Sequence, residues 1–409
     1  MSGSVPTRSE TFVYREILAL RELGLDVRTA SVHAPTHGLD DGELDRMAHE
    51  SIELYSAGKA LILRDASAEL LTRPVRTLST ISRVVIDAMF SSEVSLKRKP
   101  KVVWQGLTGL ALARRARRER ITHIHAHMAH VPTTIAMYAA KQLGIGFSFT
   151  GHAIDLFPNR TLLSEKLERA EFINCISHWH RRFYQQIVDR ADEDLPIVRC
   201  GVDTTKYQTT AAPANEMLEV LGVGRLVEKK GFDVLIGAAG RLAEMGVPIR
   251  VRIAGGGPEL KKLSELVDAL DDSASVELLG ETDNDRVMEL MNEADVFALP
   301  CRVAKSGDRD GIPVVLMEAM ARGRCVISGD LETIRELIED DVSGVMIPPG
   351  DLGALVDVLG ALTSDRQRVD ELGRAARKRI EEEFDLQSNA QRIVETMRRH
   401  GILSESAEE

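Results

Sequence analysis

The stretch Gly224-Arg225-Leu226-Val227-Glu228-Lys229-Lys230-Gly231 sets three cations and two glycines between a strand-like pattern and a helical one. Arginine offers a planar fork of donors, lysine a mobile point charge, and glycine lets the backbone come close to a ligand, so such a loop can hold a diphosphate. Taken alone, it also reads as a surface turn with its charges in water. A second stretch narrows the choice. In Asp310-Gly311-Ile312-Pro313-Val314-Val315-Leu316-Met317-Glu318, Pro313 is expected at the first position of a helix. The backbone around Gly311, Ile312, Pro313 and Val314 is then expected to bind an anion, because a helix N-terminus presents unsatisfied N–H groups and partial positive charge. Asp310, in the loop, can reach a sugar hydroxyl. Glu318, on the helix beside Val315, Leu316 and Met317, can accept two hydroxyls of a ribose, since a carboxylate has acceptor capacity for both.

Two other patterns invite chemistry and are set aside. His123, His125 and His127 alternate along a predicted strand and so share a face, a geometry open to zinc. No acidic or cysteine partner accompanies them at ligand spacing, and no metal is expected. Gly255-Gly256-Gly257-Pro258 suggests a dinucleotide loop but lacks the G-x-G-x-x-G spacing, so a nicotinamide enzyme is not expected.

The elements that must position these residues alternate between strand and helix, which implies parallel sheets. Ser9 is placed as the N-cap of a helix that stops at Gly24. Strands are expected over 27–32, 121–126, 147–150, 172–176 and 196–200, with helices over 129–143, 162–170 and 178–188 between them. Residues 204–216, TTKYQTTAAPANE, have no apolar period and read as a linker. A second series follows, with strands over 217–223, 249–254, 276–279, 296–299 and 326–328 and helices over 232–245, 259–269, 286–292 and 313–322. In such sheets ligands bind beyond the carboxyl ends of the strands, where the two loops above lie. The domains are therefore expected at 1–203 and 217–364, with C-terminal helices over 365–409 packing back toward the first domain.

Composition fits this plan. The 409 residues are 28% charged and 44% hydrophobic, too long for one small core. There is no apolar run long enough to span a bilayer and no secretory pattern at the start, so a cytoplasmic protein is expected. Cys175, Cys200, Cys301 and Cys325 lie far apart and are expected reduced and buried. Charge is uneven. Residues 1–199 carry 27 Lys and Arg against 23 Asp and Glu, and the remainder carries 25 against 40. In the first half the cations gather at Lys97, Arg98, Lys99 and Lys101, then at Arg114, Arg115, Arg117, Arg118 and Arg120, over 97–120. An anionic membrane could dock there, and a solvated helix end fits equally. Nucleic acid is not expected, because the cluster has no interleaved aromatic platform.

The segments SETFVYREILAL, THIHAHMAH, SFTGHAIDLF, VRCGVDTTKY, GVGRLVEKKGFDVLI, IAGGGPEL, ADVFALPC and DGIPVVLMEAMARG, in this order, resemble the retaining glycosyltransferases of family 4, in the bacterial exopolysaccharide branch that includes the colanic acid enzymes. The resemblance covers nearly the whole chain. It implies the GT-B fold, two Rossmann-like doubly wound domains facing across a cleft, and a metal-independent hexosyltransferase that needs no cofactor and uses a nucleotide sugar as donor. The acceptor would be a glycan or a lipid-linked glycan at the inner membrane face. By the same resemblance Arg225 and Lys230, in the loop opened by Gly224, neutralise the donor diphosphate, Glu318 holds the ribose, and Asp310 stands where the family has the first glutamate of an E-x7-E pair near the transferred sugar. His152, in Thr150-Gly151-His152-Ala153, matches a first-domain histidine that faces the donor sugar. An epimerase or phosphorylase of the same fold, or a donor-binding inactive partner, is the alternative reading. The departure lies at the start: only MSGS precedes the first matching block, so the first strand is expected to be missing.

Overall fold

The computed structural model describes residues 1–7, 10–38, 41–152, 160–207 and 217–404. Ser9, most of the expected linker and residues 405–409 lie outside them. The chain divides into two compact units, Met1–Gly201 with Leu386–Glu409, and Val202–Asp385.

In the first unit α1 (Thr11–Glu22) is followed by β1 (Ala30–Ser31), α2 (Gly42–Glu50), β2 (Ile52–Glu53), α3 (Lys59–Thr72), α4 (Pro74–Phe90), α5 (Lys99–Arg118), β3 (His123–His127), α6 (Val131–Leu143), β4 (Gly146–Gly151), α7 (Leu163–Arg169), β5 (Ile173–Cys175) and α8 (His178–Gln185). β3, β4 and β5 pair in parallel, as do β1 and β2. The strand expected to be missing is present as a stub. Residues 1–3 lie between the two groups: the Ser2 amide donates to the Ala30 carbonyl at 3.0 Å, the Val32 amide to the Ser2 carbonyl at 3.1 Å, and the His127 amide to the Met1 carbonyl at 2.8 Å. Beside the stub is a cavity of about 560 Å³ lined by Met1, Leu20, Val27, Ala30, His123 and Val394 among others.

Two expected strands shrink. Of 27–32 only Ala30–Ser31 is in a ladder, because its neighbours on both sides are equally short. The stretch 196–200 makes a single bridge, Ile197 to Cys175. The stretch between β2 and β3 holds α3 and α4, which pack on α5 together with α6, and Val84, Val102, Leu112, Tyr138 and Ala139 share one buried cluster.

The arginine run of α5 differs from expectation. Arg115 Nε lies 3.1 Å from Asp65 and its Nη1 donates to the Glu53 carbonyl at 2.6 Å, while Arg117 pairs with the fully buried Glu69. A carboxylate buried in α3 requires a partner, and the arginines supply it. Arg114, Arg115 and Arg117 therefore fix α3 to α5 and are not offered to an external anion, while Arg118 and Arg120 stay exposed.

The second unit contains β6 (Leu218–Val223), α9 (Phe232–Glu244), β7 (Ile249–Ala254), α10 (Leu260–Asp268), β8 (Ser275–Gly280), α11 (Asn284–Glu293), β9 (Val296–Leu299), α12 (Val314–Ala321), β10 (Cys325–Gly329), β11 (Val345–Ile347), α13 (Leu352–Ser364) and α14 (Arg366–Glu383). The six strands are all parallel, in the order β11-β10-β9-β6-β7-β8. Counted within the unit this is 3-2-1-4-5-6, the doubly wound order whose topological switch falls between β6 and β9. β9 and β10 are buried at every residue, as strands covered by helices on both faces must be. β11 was not expected from the sequence, since three residues carry too little pattern. α15 (Leu386–Arg399) returns to the first unit, so the expected 365–409 segment is divided: α14 belongs to one unit and α15 to the other.

Candidate active site

The switch point places two loops side by side. After β6 the chain turns through Gly224 to Leu226, makes a short 3-10 turn at Glu228–Lys230 and enters α9. After β9 it runs through Cys301 to Asp310 and enters α12. The loops are joined by charge: Lys230 Nζ lies 2.8 Å from Asp310 Oδ2 and Lys229 Nζ 3.3 Å from Asp310 Oδ1, with Asp308 3.1 Å from Lys229 on the outer side. The Lys230 and Asp310 side chains are only 12% and 13% exposed. Burial opposes the Asp310 charge, yet Lys230 and then Lys229 hold its pKa below the ordinary aspartate value. Burial likewise opposes the Lys229 charge, and Asp310 with Asp308 raises its pKa nevertheless. Asp310 and Lys229 are thus both charged at neutral pH. The Thr333 hydroxyl donates to the Asp310 carbonyl at 3.0 Å and fixes the loop.

Arg225 belongs to the same loop and is exposed. Among the described residues its guanidinium has no hydrogen bond or ion pair, whereas Lys229 and Lys230 are both engaged by carboxylates. It is the cation of the loop that needs to break nothing before meeting an anion.

Close backbone packing explains the glycines. A Cβ on Gly255 would stand 2.0 Å from the Gly224 carbonyl oxygen, and one on Gly257 2.5 Å from that of Leu226. The segment dismissed as a dinucleotide loop is therefore the wall against which the Gly224 loop is built. Gly231, at φ +69°, has the Pro300 carbonyl oxygen 2.0 Å from where its Cβ would be, which draws the start of α9 onto the end of β9.

Glu318 sits on α12, 8% exposed, and its Oε1 accepts from the Tyr207 hydroxyl at 3.0 Å. The Arg322 guanidinium lies over the Tyr207 ring at 5.3 Å. Glu318 is thus an anchored buried carboxylate, not a solvent-facing one. Pro313 is displaced by one position from the expectation: with ψ 124° it is extended and acts as the N-cap, and its carbonyl accepts from the Leu316 amide at 3.1 Å. Gly311 and Ile312, both half-buried, lead into it, and Val314 opens the helix.

Sequence reasoning missed Lys229 as a partner of Asp310, and it missed Tyr207. The former stood in the quoted loop, where an adjacent lysine gives no sign of which one turns inward. The latter is 111 residues from Glu318 and carries no local signal.

His152 belongs to the first unit, just beyond β4. It is 7% exposed, its ring 4.6 Å from that of Phe12 and 5.9 Å from that of His127. Burial first, then the neighbouring His127, His180 and His130, depress its pKa well below the usual histidine value, so it is a neutral hydrogen-bonding group. The strand histidines have taken partners across the ladder: His123 Nε2 and His125 Nδ1 meet the Ser148 hydroxyl at 2.7 and 2.8 Å, and His125 Nε2 meets Thr150 at 3.0 Å. The fold does supply an acidic neighbour that spacing did not reveal, Glu16, 3.1 Å from His127 Nε2. One donor atom each of Glu16, His125 and His127 lies within 4.8 Å of the others. Both His125 nitrogens are nonetheless engaged by hydroxyls.

Residues 205–379 match the family described as glycosyl transferases group 1. The chain is 30% identical to the colanic acid biosynthesis glycosyltransferase WcaL of Escherichia coli K12, over 93% of this chain and 94% of that protein. It is 35% identical to the amylovoran biosynthesis glycosyltransferase AmsK of Erwinia amylovora over 51% of each chain. Among solved structures, a glycosyltransferase of Rickettsia africae ESF-5 superposes with a TM-score of 0.71 at 16% identity, over 99% of this chain and 98% of its own. Anabaena HepE, solved in complex with UDP, gives 0.60 at 20% identity over 71% and 82%. Two Rossmann-like units, each built on parallel strands, with these neighbours show the GT-B fold. The chain belongs to the group 1 glycosyltransferases, among relatives that serve exopolysaccharide biosynthesis.

Proposed function

We propose that this glycosyltransferase moves a hexose from a nucleoside-diphosphate sugar to a glycan or lipid-linked acceptor, with retention at the anomeric carbon and without a metal ion, in the cytoplasm at the inner membrane face. The observation that carries the reading is the cation cluster at the switch point of the second sheet, Arg225 exposed and Lys230 held by Asp310. The leaving group is a nucleoside diphosphate, so negative charge grows on the phosphate oxygens as the glycosidic bond breaks and an oxocarbenium-like centre forms. Cations already aimed at those oxygens lower that barrier, and they supply the charge that a divalent ion supplies elsewhere. Asp310 holds Lys230 in place until the diphosphate arrives and is itself poised toward a sugar hydroxyl. Glu318, oriented by Tyr207, is assigned to the ribose. His152, being neutral, is assigned a hydrogen bond to the sugar. The UDP complex of HepE and the pathway of WcaL and AmsK support the donor class and the product class.

The test is a thermal-shift and turnover screen of the whole chain against UDP, GDP, ADP and dTDP sugars in EDTA, with Arg225→Ala in parallel. A shift with one base, absent in the variant, together with slow release of the diphosphate, is expected. No shift with any donor would overturn the assignment, and turnover that requires an added divalent ion would overturn metal independence.

A further inference from the structure

Helix α4 buries one side and turns an apolar side outward. Thr77, Thr80, Val84 and Ala88 face the interior. Val75, Leu78, Val85, Ile86, Met89 and Phe90 face outward, at 83, 56, 45, 46, 54 and 82% exposure. Their spacing in steps of three and four keeps them on one side, interrupted by Ser79 and Ser82 and by no charge. A surface helix normally turns a polar side to water, so this one is built to be covered. The feature is local: among the described residues, eleven of the sixteen exposed large hydrophobics fall between Leu63 and Val103.

Charge identifies the cover. Between Lys59 and Lys101 there are nine Lys and Arg and four acids. Every acid is turned inward. Asp65, Glu69 and Asp87 are 3, 0 and 3% exposed, and Glu93 accepts from the Leu163 and Ser164 amides. What faces outward is apolar, cationic or a small hydroxyl side chain, with Arg73, Lys97 and Lys101 exposed. The Lys99 ammonium donates to the Met89 carbonyl at 3.0 Å, which sets the basic segment against the apolar end of α4. We propose that the outward side of α4, with Arg73 before it and Lys97, Lys99 and Lys101 after it, docks on an anionic phospholipid bilayer. The apolar side chains enter the acyl boundary and the cations meet the headgroup phosphates. A second copy on the same face would bring the lysines of both together, whereas lipid phosphate complements them. The inference deepens the peripheral-membrane part of the reading above and puts a different surface in place of Arg114, Arg115 and Arg117, which are spent on Asp65 and Glu69.

The experiment is co-sedimentation of the whole chain with phosphatidylcholine vesicles, with and without phosphatidylglycerol, followed by the variants Met89→Ser/Phe90→Ser and Lys97→Glu/Lys101→Glu. All four positions lie outside the donor site, and thermal melting checks the fold. Binding that depends on phosphatidylglycerol and weakens with salt is expected, reduced roughly tenfold or more by either variant. Absence of vesicle binding, or binding that both variants keep, overturns the proposal. So does a wild-type dimer that Met89→Ser/Phe90→Ser dissolves, because the face would then meet a second copy. Vesicle binding without donor binding would count against the transferase reading alone, and donor turnover without vesicle binding against this one alone.

Discussion

Arg225 and Lys230 occupy one loop but differ in what their removal should do. Arg225 is exposed and engages no described side chain, so Arg225→Ala should leave the melting temperature unchanged and cut turnover by about 10²- to 10³-fold, corresponding to the ~2.7–4 kcal/mol of one lost transition-state donor. Lys230→Ala should do both kinds of damage, since it also removes the 2.8 Å partner of a nearly buried Asp310. A melting curve beside a rate measurement separates the two, and equal stability losses would mean that Arg225 has a structural role not visible here. Tyr207→Phe deletes only the hydroxyl that holds Glu318. The expected result is a raised KM for the donor at nearly unchanged kcat, the pattern of lost ground-state binding. A fall in kcat with KM unchanged would move Glu318 away from the ribose.

At the scale of elements, β3 and the turn into α6 carry histidines that make the first unit sensitive to acid. Burial, then the charge of a neighbouring group, lowers His123 and His130 to about 4, from an unfolded value near 6.5. Between those values the unfolded chain binds more protons than the folded one, so stability rises with pH across the window and is lost as pH falls from about 6.5 toward 4. The first unit should therefore melt at a lower temperature at pH 5 than at pH 7, and His123→Asn should flatten that dependence. An unchanged pH dependence in the variant would assign the acid lability to other groups. What could be read from the sequence follows the same division. β7 and β9 have the bounds that the alternation of IRVRIA and the apolar run VFAL suggest, and the loops after β6 and β9 were legible because charge and glycine concentrate there. Residues 27–32 misled, since a strand-like composition says nothing about the length of its neighbours. The fate of the α5 arginines was hidden for a related reason: whether a cation faces water or a buried carboxylate depends on a helix some 50 residues away. Gly255 and Gly257 were legible as glycines but not as packing, because the atoms they accommodate belong to another loop.

At the scale of the whole molecule, the chain leaves the first unit at Gly201 and re-enters it at Leu386, so the first unit is discontinuous and the second is an insertion within it. The returning helix α15 is part of a core. Leu386, Ala390, Ile393, Val394 and Met397 form one buried cluster with Ala19, Leu20, Phe172 and Val198. Asn389 accepts from the Arg199 amide at 2.9 Å, and His400 lies 3.2 Å from Asp194. Burying each large apolar side chain contributes about 1.5–3 kcal/mol, so losing four of them removes an amount comparable to the ~5–15 kcal/mol by which a domain is stable. Deleting residues 386–409 should accordingly abolish the cooperative melting of the first unit. The second unit keeps its six-stranded sheet, its Lys230–Asp310 pair and its Tyr207–Glu318 bond, all within Val202–Asp385, and should still bind a nucleoside diphosphate. Calorimetry on the shortened chain reads both quantities at once. Diphosphate binding at wild-type affinity with one melting transition lost is the expected outcome, and loss of binding together with the transition would show that the donor site depends on the first unit, contrary to its construction from a single sheet.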